Sequence, residues 1–571
     1  MNLPAQSDDY EYVRIKYPSN LDNKCILCQF PVVHLYADAG KLVHRLEGDI
    51  YQVVELYRCT NPDCKCSTHH FNPSPRYDYG KRFYGADVFR FVAREFLPPL
   101  KQNPDQIRNR LRLMYPNFRI SPATISRMCD DILKVKSFNI DLKTHAMIQE
   151  QGFILLGMDG QDPGTNAPAI WAFMDLISNR ILATVKFETL DYNRLHEYLT
   201  SLEAYYGVPI LGWVTDKQNV IVKCHDTFYA EIPHQYCQYH FQTHLWNHIE
   251  CLDSKIFMPL KKVITKLYIH SASLSKTVDF GILGRKSVRE VFKPMDQDLQ
   301  AMIRMRNKKF KSLRGLWLFE KLTEYINRGR QSMKEIDSEL RVAKIMKKTF
   351  NDLQEKLDGV RHLYEEVVKF NTWFQEIRDL FNTEQMIWQE KRRQLDLVFK
   401  AVYQEACKQK ANFDLDACRS FLPGKKSTFI AILGEWCRLW NSYLPGLFQY
   451  EKFPGKNRTN GKNERAFSKE KQMLIARVGK GIVSHMIATR GADYLRLTHC
   501  SPEELTSDIL IECTEGLIQE LREELRTEIR KQTRRWRTND RQYLGFEGIK
   551  LTLFNALASS NTSGVLKKMG R

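Results

Sequence analysis

The stretch that decides the fold is Gly152-Phe153-Ile154-Leu155-Leu156-Gly157-Met158-Asp159-Gly160-Gln161-Asp162. A short apolar run of strand length ends in an aspartate and then a glycine, which fits a strand that is buried on both faces. A carboxylate in that setting is costly to keep charged unless a cation or hydrogen bonds compensate it. Asp159 is therefore either a cap that starts a turn with Gly160 or a functional carboxylate, and partners elsewhere in the chain decide between these interpretations.

The residues that follow supply a second strand ending in an aspartate. The apolar run 209–215 leads directly into Asp216. Around it the pattern predicts a hairpin over 169–176 and 181–187, a helix over 192–206, a helix over 217–227, a strand over 232–236 and a helix over 238–249. This alternation predicts a mixed sheet with helices packed on it. Two carboxylates on adjacent strands repel each other without a cation, so the pair favours Mg²⁺ or Mn²⁺, which prefer oxygen ligands.

Composition narrows the classes of partner. The 571 residues suffice for roughly three or four domains. The net charge of +19 favours a polyanionic partner, with nucleic acid first, an anionic membrane surface second, and a merely basic soluble protein as the alternative. No run approaches about 18 apolar residues, so we expect no membrane span. The first residues lack the pattern of a secretory signal, so we expect a cytoplasmic, nucleoid-associated protein in a prokaryote or a nuclear one in a eukaryote.

Cysteines near the N-terminus predict a zinc ribbon within residues 1–80. Among the 14 cysteines, Cys25-x2-Cys28 and Cys59-x4-Cys64 form two turns separated by the strand-like sequence 42–58. Four thiolates complete a tetrahedral Zn²⁺ shell, and we favour these four as ligands. Cys66 and His69 are alternatives for the fourth ligand, and free buried thiols are the alternative to any metal site.

A helical pattern over residues 81–145 predicts a helix-turn-helix that binds DNA. Two helices are expected over 86–97 and 106–114, and a third begins with Ser121 as N-cap and Pro122 at its first position. Near the start of that third helix, Thr124, Ser126 and Arg127 would meet base edges or phosphates. A plain three-helix packing unit is the alternative.

The spacing of apolar residues predicts mostly helical structure from 251 to 450. One apolar stripe on the face of a predicted helix consists of Leu353, Leu357, Val360, Leu363, Val367 and Phe370. Core packing is the expectation for any one tryptophan of this region. After the basic loop 453–458, a helix over 463–478 places Glu464 in its first turn, where a carboxylate is favoured. We expect Arg458, Arg465 and Lys469 to contact DNA phosphates. Residues 501–571 form a basic C-terminal helical region, with a charged helix over 517–536.

The ordered set of motifs resembles the DDE-type DNA transposases of the group of Mutator-like elements and prokaryotic insertion sequences. The resemblance rests on Met158-Asp159-Gly160, Val214-Thr215-Asp216-Lys217-Gln218, His234-Gln235-Tyr236-Cys237-Gln238-Tyr239-His240-Phe241 and Thr459-Asn460-Gly461-Lys462-Asn463-Glu464. Gly461 departs from the asparagine that is usual in the last motif. The resemblance covers roughly residues 20–250 and 440–500. It implies an α/β plus all-α protein: an RNase H-like mixed sheet over 146–250 and 451–500, interrupted by the helical insertion 251–450 and preceded by the ribbon and the helix-turn-helix.

The resemblance also implies an activity. Asp159, Asp216 and Glu464 would hold two Mg²⁺ or Mn²⁺ ions, and the chain would bind transposon ends and target double-stranded DNA, cleave DNA and catalyse strand transfer, as a homodimer. Cys237 and His240 match a structural motif of that family. Cys237, His240, His244 and His248 recur at helical spacing and so share one face of a helix. That spacing permits a second metal site, but we favour the interpretation that these are buried side chains that support the catalytic sheet. A transposase-derived DNA-binding regulator and a structure-specific nuclease are the alternative functions.

Overall fold

The computed structural model describes residues 10–74, 76–78, 83–97, 102–162, 168–187, 190–277, 282–283, 286–287, 297–300, 302, 313–335, 341–409, 429–478 and 483–506. Of the predicted C-terminal region 501–571, all but residues 501–506 lies outside this part, including the helix expected over 517–536. The chain divides into two units, Met1–His234 with Phe453–Arg571, and Gln235–Lys452. Searched over the described residues, no helix is long and apolar enough to cross a membrane.

The N-terminal sheet is built around β4 (Ile50–Cys59), which pairs along both edges. β1 (Glu11–Ile15) runs parallel to β4, whereas β2 (Val32–Ala37) and β3 (Lys41–Val43) run antiparallel to it. Gly40 turns the chain between β2 and β3 with φ of 70°, a conformation that favours glycine. Because Val32 faces Cys59 in the β2–β4 register, the two cysteine-bearing turns meet at one end of this sheet.

Three helices follow: α1 (Ala86–Phe96), α2 (Pro104–Met114) and α3 (Pro122–Gln151). The predicted cap of α3 is confirmed, because the Ser121 hydroxyl accepts a hydrogen bond from the Thr124 amide at 3.1 Å. The sequence predicted helical structure to about residue 136 and a domain boundary after 145, but α3 continues for 30 residues. No glycine or proline interrupts it before Gly152, whose φ of 78° ends the helix.

The second sheet has five strands, with two helices between them along the chain. The elements are β5 (Ile154–Gln161), β6 (Ala169–Asp175), β7 (Arg180–Phe187), α4 (Tyr192–Tyr206), β8 (Ile210–Thr215), α5 (Asn219–Phe228) and β9 (His234–Tyr236). The strand order is β7-β6-β5-β8-β9. β5 pairs antiparallel with β6 and parallel with β8, and the predicted β6–β7 hairpin is confirmed. Apolar residues of β5, β6, β8 and α4 form one core with the end of α3, so the sheet is mixed and covered by helices.

The chain returns to this first unit through three more helices. They are α11 (Gly461–Val478), α12 (Val483–Leu497) and α13 (Pro502–Thr506). α11 packs against β5, and α12 packs against β6, β7 and α3. The Lys186 ammonium on β7 donates a hydrogen bond to the Ala488 carbonyl on α12 at 2.6 Å. These helices therefore close the first unit around the sheet.

The second unit is helical in its described part. It contains α6 (Gln238–Thr277), α7 (Arg314–Ser332), α8 (Arg341–Asn382), α9 (Trp388–Gln409) and α10 (Phe429–Tyr443), with two-residue strands β10 (Ile282–Leu283) and β11 (Lys286–Ser287). The predicted stripe lies on α8, where it is buried apart from Leu363, which is half-buried. The Asp253 carboxylate of α6 accepts hydrogen bonds from the Gly315 and Leu316 amides at 2.8 Å, which caps the start of α7. Trp436 and Trp440 are buried in this unit.

Candidate functional site

Four cysteines form a group that can hold a metal ion such as zinc. The sulfur atoms of Cys25, Cys28, Cys59 and Cys64 all lie within 4.8 Å of one another. The Cys25 and Cys64 sulfurs are 3.8 Å apart, and the Cys28 and Cys59 sulfurs are 3.4 Å apart. Four sulfur ligands at two turns are the donor set of a closed tetrahedral site. The alternatives Cys66 and His69 do not belong to this group.

The turn around Cys25 is arranged to favour a thiolate. Burial raises the pKa of Cys25, but backbone amides of Cys28 and Leu27, together with the Cys64 and Cys28 side chains, outweigh burial and lower it to about 6. The Asn61 amide donates to the Cys59 sulfur at 3.4 Å in the second turn. Amide donors aimed at sulfur suit metal binding, because the thiolate is the form that binds metal.

Asp159 and Asp216 lie beside each other on neighbouring strands at the same edge of the second sheet. Asp216 directly follows β8 as predicted, but Asp159 does not end its strand, because β5 continues to Gln161 and stays paired with β6. β5 and β8 run parallel, and the last pair in their register is Met158 opposite Thr215. Asp159 and Asp216 are the next residue on each strand, so the two carboxylates emerge side by side. The Gln218 amide donates to one Asp216 oxygen at 2.8 Å.

Glu464 is brought to this edge by two buried asparagines. The Asn460 side-chain amide donates to the Met158 carbonyl at 2.6 Å, and the Asn463 side-chain amide donates to the Asn460 side-chain oxygen at 2.7 Å. A β-carbon added at Gly157 would lie 2.9 Å from that Asn460 oxygen. Glycine at 157 thus lets the start of α11 lie directly on β5, with Glu464 in its first turn.

The three carboxylates influence one another electrostatically. Asp159 is half-buried, and one of its oxygens accepts a hydrogen bond from the Gly160 amide at 2.8 Å. Burial raises the pKa of Asp159 to about 7; the charges of Asp216 and Glu464 add to the rise, and the amide opposes it. A carboxyl whose pKa is raised by neighbouring carboxylates is a setting in which a divalent cation is favourable.

The spacing of these carboxylates is wider than that of the cysteines. Among the described residues, only the four cysteines form a group of three or more ligand atoms all within 4.8 Å of one another. Asp159, Asp216 and Glu464 do not form a group of that kind.

A buried histidine supports the end of β8. The Thr215 hydroxyl donates to the Asp216 carbonyl at 2.8 Å and lies 2.7 Å from His234 Nε2. Burial and the neighbouring His225 lower the pKa of His234 to about 3, so His234 is neutral. Because the threonine proton is used, Nε2 of His234 donates to Thr215. Sequence analysis did not identify His234 or Asn463 as part of the site, although each lies inside a motif that carries the resemblance, and that position could have indicated its role.

The residues predicted to contact DNA differ in exposure. Arg127 is exposed and Ser126 half-buried, but Thr124 is buried, with its hydroxyl 2.9 Å from that of Ser121. The hydroxyl of Thr124 is thus used inside the first turn of α3. Arg127 is the most accessible of the three predicted contacts on that helix.

Positive charge collects on and beside α11. Arg465 and Lys469 are exposed one turn apart on that helix, and Arg458 in the preceding loop is half-buried. Burial, together with the nearby cations Lys469, Arg465, Lys462 and Arg180, lowers the pKa of His499 to about 4. This concentration of cations in the first unit would attract a phosphate backbone.

Cys237 and His240 lie in the second unit, at the start of α6. Cys237 is fully buried directly before the helix, and His240 is half-buried in its first turn. Among the described residues, neither side chain has two other metal-ligand atoms close enough to form a group like that of the four N-terminal cysteines.

No protein-family model matches this chain, and a search of curated proteins found no match either.

Proposed function

We propose that this chain is a DNA transposase with an RNase H-like catalytic domain, which cleaves DNA at element ends and joins it to target DNA. The observation that carries the proposal is the convergence of Asp159, Asp216 and Glu464, with the other two carboxylates raising the pKa of Asp159. The three residues come from two parallel strand ends and a helix start that are far apart in the sequence. A protein that only binds DNA has no need of this convergence.

The topology of the second sheet supports the RNase H-like assignment. Three antiparallel strands are followed by a helix and a strand parallel to the first, and the order is β7-β6-β5-β8-β9. Asp159 and Asp216 lie near the carboxyl ends of β5 and β8, which is where open α/β sheets bind their ligands. The second unit, Gln235–Lys452, interrupts the sequence between β8 and α11 and would be the helical insertion.

In this proposal, Asp159, Asp216 and Glu464 would hold two Mg²⁺ or Mn²⁺ ions. Such ions lower the pKa of bound water and stabilise the attacking and leaving oxygens of an in-line displacement at phosphorus. The protein's part is to hold the three carboxylates: Asn460 and Asn463 fix α11 on β5, and Thr215 with His234 fixes the end of β8. Arg458, Arg465 and Lys469 would bind the DNA backbone beside this edge, and the four-cysteine module would bind Zn²⁺.

The decisive experiment is single-turnover cleavage of a duplex that the wild-type chain selects from a randomised pool, with Mg²⁺ present. Asp159→Asn, Asp216→Asn and Glu464→Gln should each lower the cleavage rate by more than about 100-fold. Substitution of a residue that only orients metal ligands lowers activity by up to about 100-fold, so a larger loss indicates a metal ligand. Asp162→Asn, an exposed carboxylate next to the end of β5, is the matched control and should cleave normally. Cleavage that survives all three changes would refute the proposal.

Strand transfer separates a transposase from a nuclease. After cleavage, a transposase joins the new 3′ end to a second duplex, and the joined product is longer than either substrate. We expect this product with the wild-type protein and none with Asp159→Asn. Cleavage without any joined product would instead identify a nuclease, and sequence-specific binding with neither reaction would identify a regulator.

A further inference from the structure

α3 connects the predicted DNA-reading residues to the catalytic sheet without a break. Arg127 lies in the second turn of this helix, and Gly152 ends it two residues before β5 begins. At 1.5 Å per residue, a helix of 30 residues is about 45 Å long. Whatever fixes this helix relative to the sheet therefore also fixes the distance from bound DNA to Asp159.

A seam of buried ion pairs joins α3 to α12. We define the seam as three pairs: Asp130 with Arg490, Lys134 with Asp493, and Asp141 with Arg496. The Arg490 guanidinium binds the Asp130 carboxylate through two hydrogen bonds of 2.8 and 2.7 Å. The other two pairs are each 2.8 Å apart, and no side chain of the seam is more than 12% exposed.

Buried charges make the seam selective for one register. A buried ion that loses its partner carries a large desolvation cost, and a bidentate arginine–carboxylate pair tolerates little change of angle. Sliding α3 by one turn would separate all three pairs at once. The Arg496 guanidinium also donates to the Ser137 hydroxyl at 3.3 Å, which adds a fourth contact along the same line.

α12 is in turn fixed to the catalytic sheet. A β-carbon added at Gly491 would lie 2.7 Å from the Glu470 carboxyl on α11 and 3.1 Å from Ile170 on β6, so the helix backbone lies directly against both elements. Lys186 on β7 donates to the Ala488 carbonyl. The rings of Phe96 on α1 and Tyr494 on α12 meet edge to face at 6.4 Å, so α1 is attached to α12 as well.

We propose that the seam residues are positioning residues that set which phosphate is cut, by holding the DNA-reading helix α3 in one register relative to Asp159, Asp216 and Glu464. This inference rests on the proposed function. It adds that the distance between the bound sequence and the cut is fixed inside one chain by α3 and α12. Arg127 lies one turn before Asp130 on the same side of α3, but it is exposed whereas Asp130 is buried, so removing the seam pair removes none of the predicted DNA contacts.

The test maps cleavage positions in the full-length chain on an end-labelled duplex selected by the wild-type protein. Asp130→Ala with Arg490→Ala removes one pair without leaving an unpaired charge. We expect unchanged binding of the duplex, about 10²-fold slower cleavage at the wild-type phosphate, and cuts spread over neighbouring phosphates. The reversed pair, Asp130→Arg with Arg490→Asp, should restore the single cut.

The control is Lys41→Ala with Asp78→Ala, an ion pair inside the N-terminal module, which should leave the cut position unchanged. If the double alanine variant does not fold, Asp141→Asn, which weakens one pair only, replaces it with the same expectation. A folded variant that cuts at the wild-type phosphate at the wild-type rate would overturn the proposal, as would a folded reversed pair that scatters its cuts. A wild-type protein that makes no cut would instead refute the proposed function.

Discussion

Glu470 on α11 is a fully buried carboxyl near the candidate site. Its side chain has no exposed surface in the folded protein. Burial raises the pKa of Glu470 to about 8, against smaller opposing effects of Gln161 on β5 and of Lys471. The group is therefore mostly protonated at pH 7 in the folded protein, although it would be ionised in the unfolded chain.

This shift predicts how stability depends on pH. Because the folded state keeps a proton that the unfolded state releases above about pH 4.5, the contribution of Glu470 to stability falls as pH rises from about 4.5 to about 8. Glu470→Gln removes this dependence. We expect the variant to match the wild type near pH 4.5 and to be more stable by on the order of a few kcal/mol at pH 8.

Thermal unfolding midpoints measured from pH 5 to pH 9 check this expectation. The difference between Glu470→Gln and wild type should widen from pH 5 to about pH 8 and then level off. Glu197→Gln on α4 exchanges an exposed glutamate in the same unit and should show no such trend. A constant or shrinking difference for Glu470→Gln would mean that this carboxyl is ionised in the folded protein.

At the scale of elements, the start of α11 depends on Asn460. This fully buried side chain joins the helix to the Met158 carbonyl next to Asp159. Asn460→Ala would leave that carbonyl without this donor, at a cost of about 1–3 kcal/mol, and would release Glu464 from its place. We expect cleavage to fall by about 10–100-fold, as for residues that orient metal ligands, with DNA binding intact.

The control for this change is Asn457→Ala. Asn457 lies in the loop before α11 and donates a long hydrogen bond, 3.4 Å, to the Leu176 carbonyl. Single-turnover cleavage rates of both variants are measured. A slow Asn460→Ala beside a normal Asn457→Ala would show that the hydrogen bond from Asn460 to the Met158 carbonyl matters, and not simply any change near the start of α11. Equal rates in Asn460→Ala and wild type would show that the helix start is held by other contacts.

The four-cysteine module depends on metal if the four thiolates bind zinc. Cys28→Ser should abolish stoichiometric zinc in the purified protein and unfold the N-terminal sheet, because small zinc modules fold only with metal. Cys66→Ser should retain zinc, since Cys66 is outside the group of four. Metal analysis by mass spectrometry and limited proteolysis provide the two measurements. Zinc lost in Cys66→Ser but retained in Cys28→Ser would reverse the assignment.

At the scale of the whole molecule, the net charge of +19 predicts strong salt dependence of DNA binding. Proteins that neutralise 6–10 phosphates lose about 10³–10⁵ in affinity between 50 and 200 mM salt. We expect a loss in this range in a fluorescence anisotropy titration, and a shallower slope, by about 1, for Arg127→Ala. An affinity that does not change with salt would exclude backbone phosphates as the main contact.

The patterns that could be read from sequence were local ones. The runs before Asp159 and Asp216 are apolar over the length of a strand, so both strands could be placed, and the structure has them as β5 and β8. The predicted end of the first strand at Asp159 is two residues short, because β5 continues to Gln161. The four zinc-binding candidates were found in the same way, because each turn carries two cysteines. Glu464 required the resemblance, since a glutamate in the first turn of a helix is common.

What could not be predicted depends on contacts between distant residues. Asp130 and Arg490 are separated by 360 positions, and charged residues on helices usually face solvent, so nothing local indicates that they form a buried pair. Glu470 is hidden in the same way among the lysines of α11. The need for glycine at 157 follows only from the approach of Asn460. Such features are determined by how the helices and strands pack against one another, and the local sequence around each residue does not indicate them.

The central claim is that Asp159, Asp216 and Glu464 hold a pair of divalent ions. Its most direct test is an anomalous difference map from crystals of the full-length chain grown with Mn²⁺ and its selected duplex. We predict two peaks about 3.5–4 Å apart, flanked by these three carboxylates, that disappear in Asp159→Asn. A map without manganese at this edge of the sheet, or with manganese only elsewhere, would contradict the account.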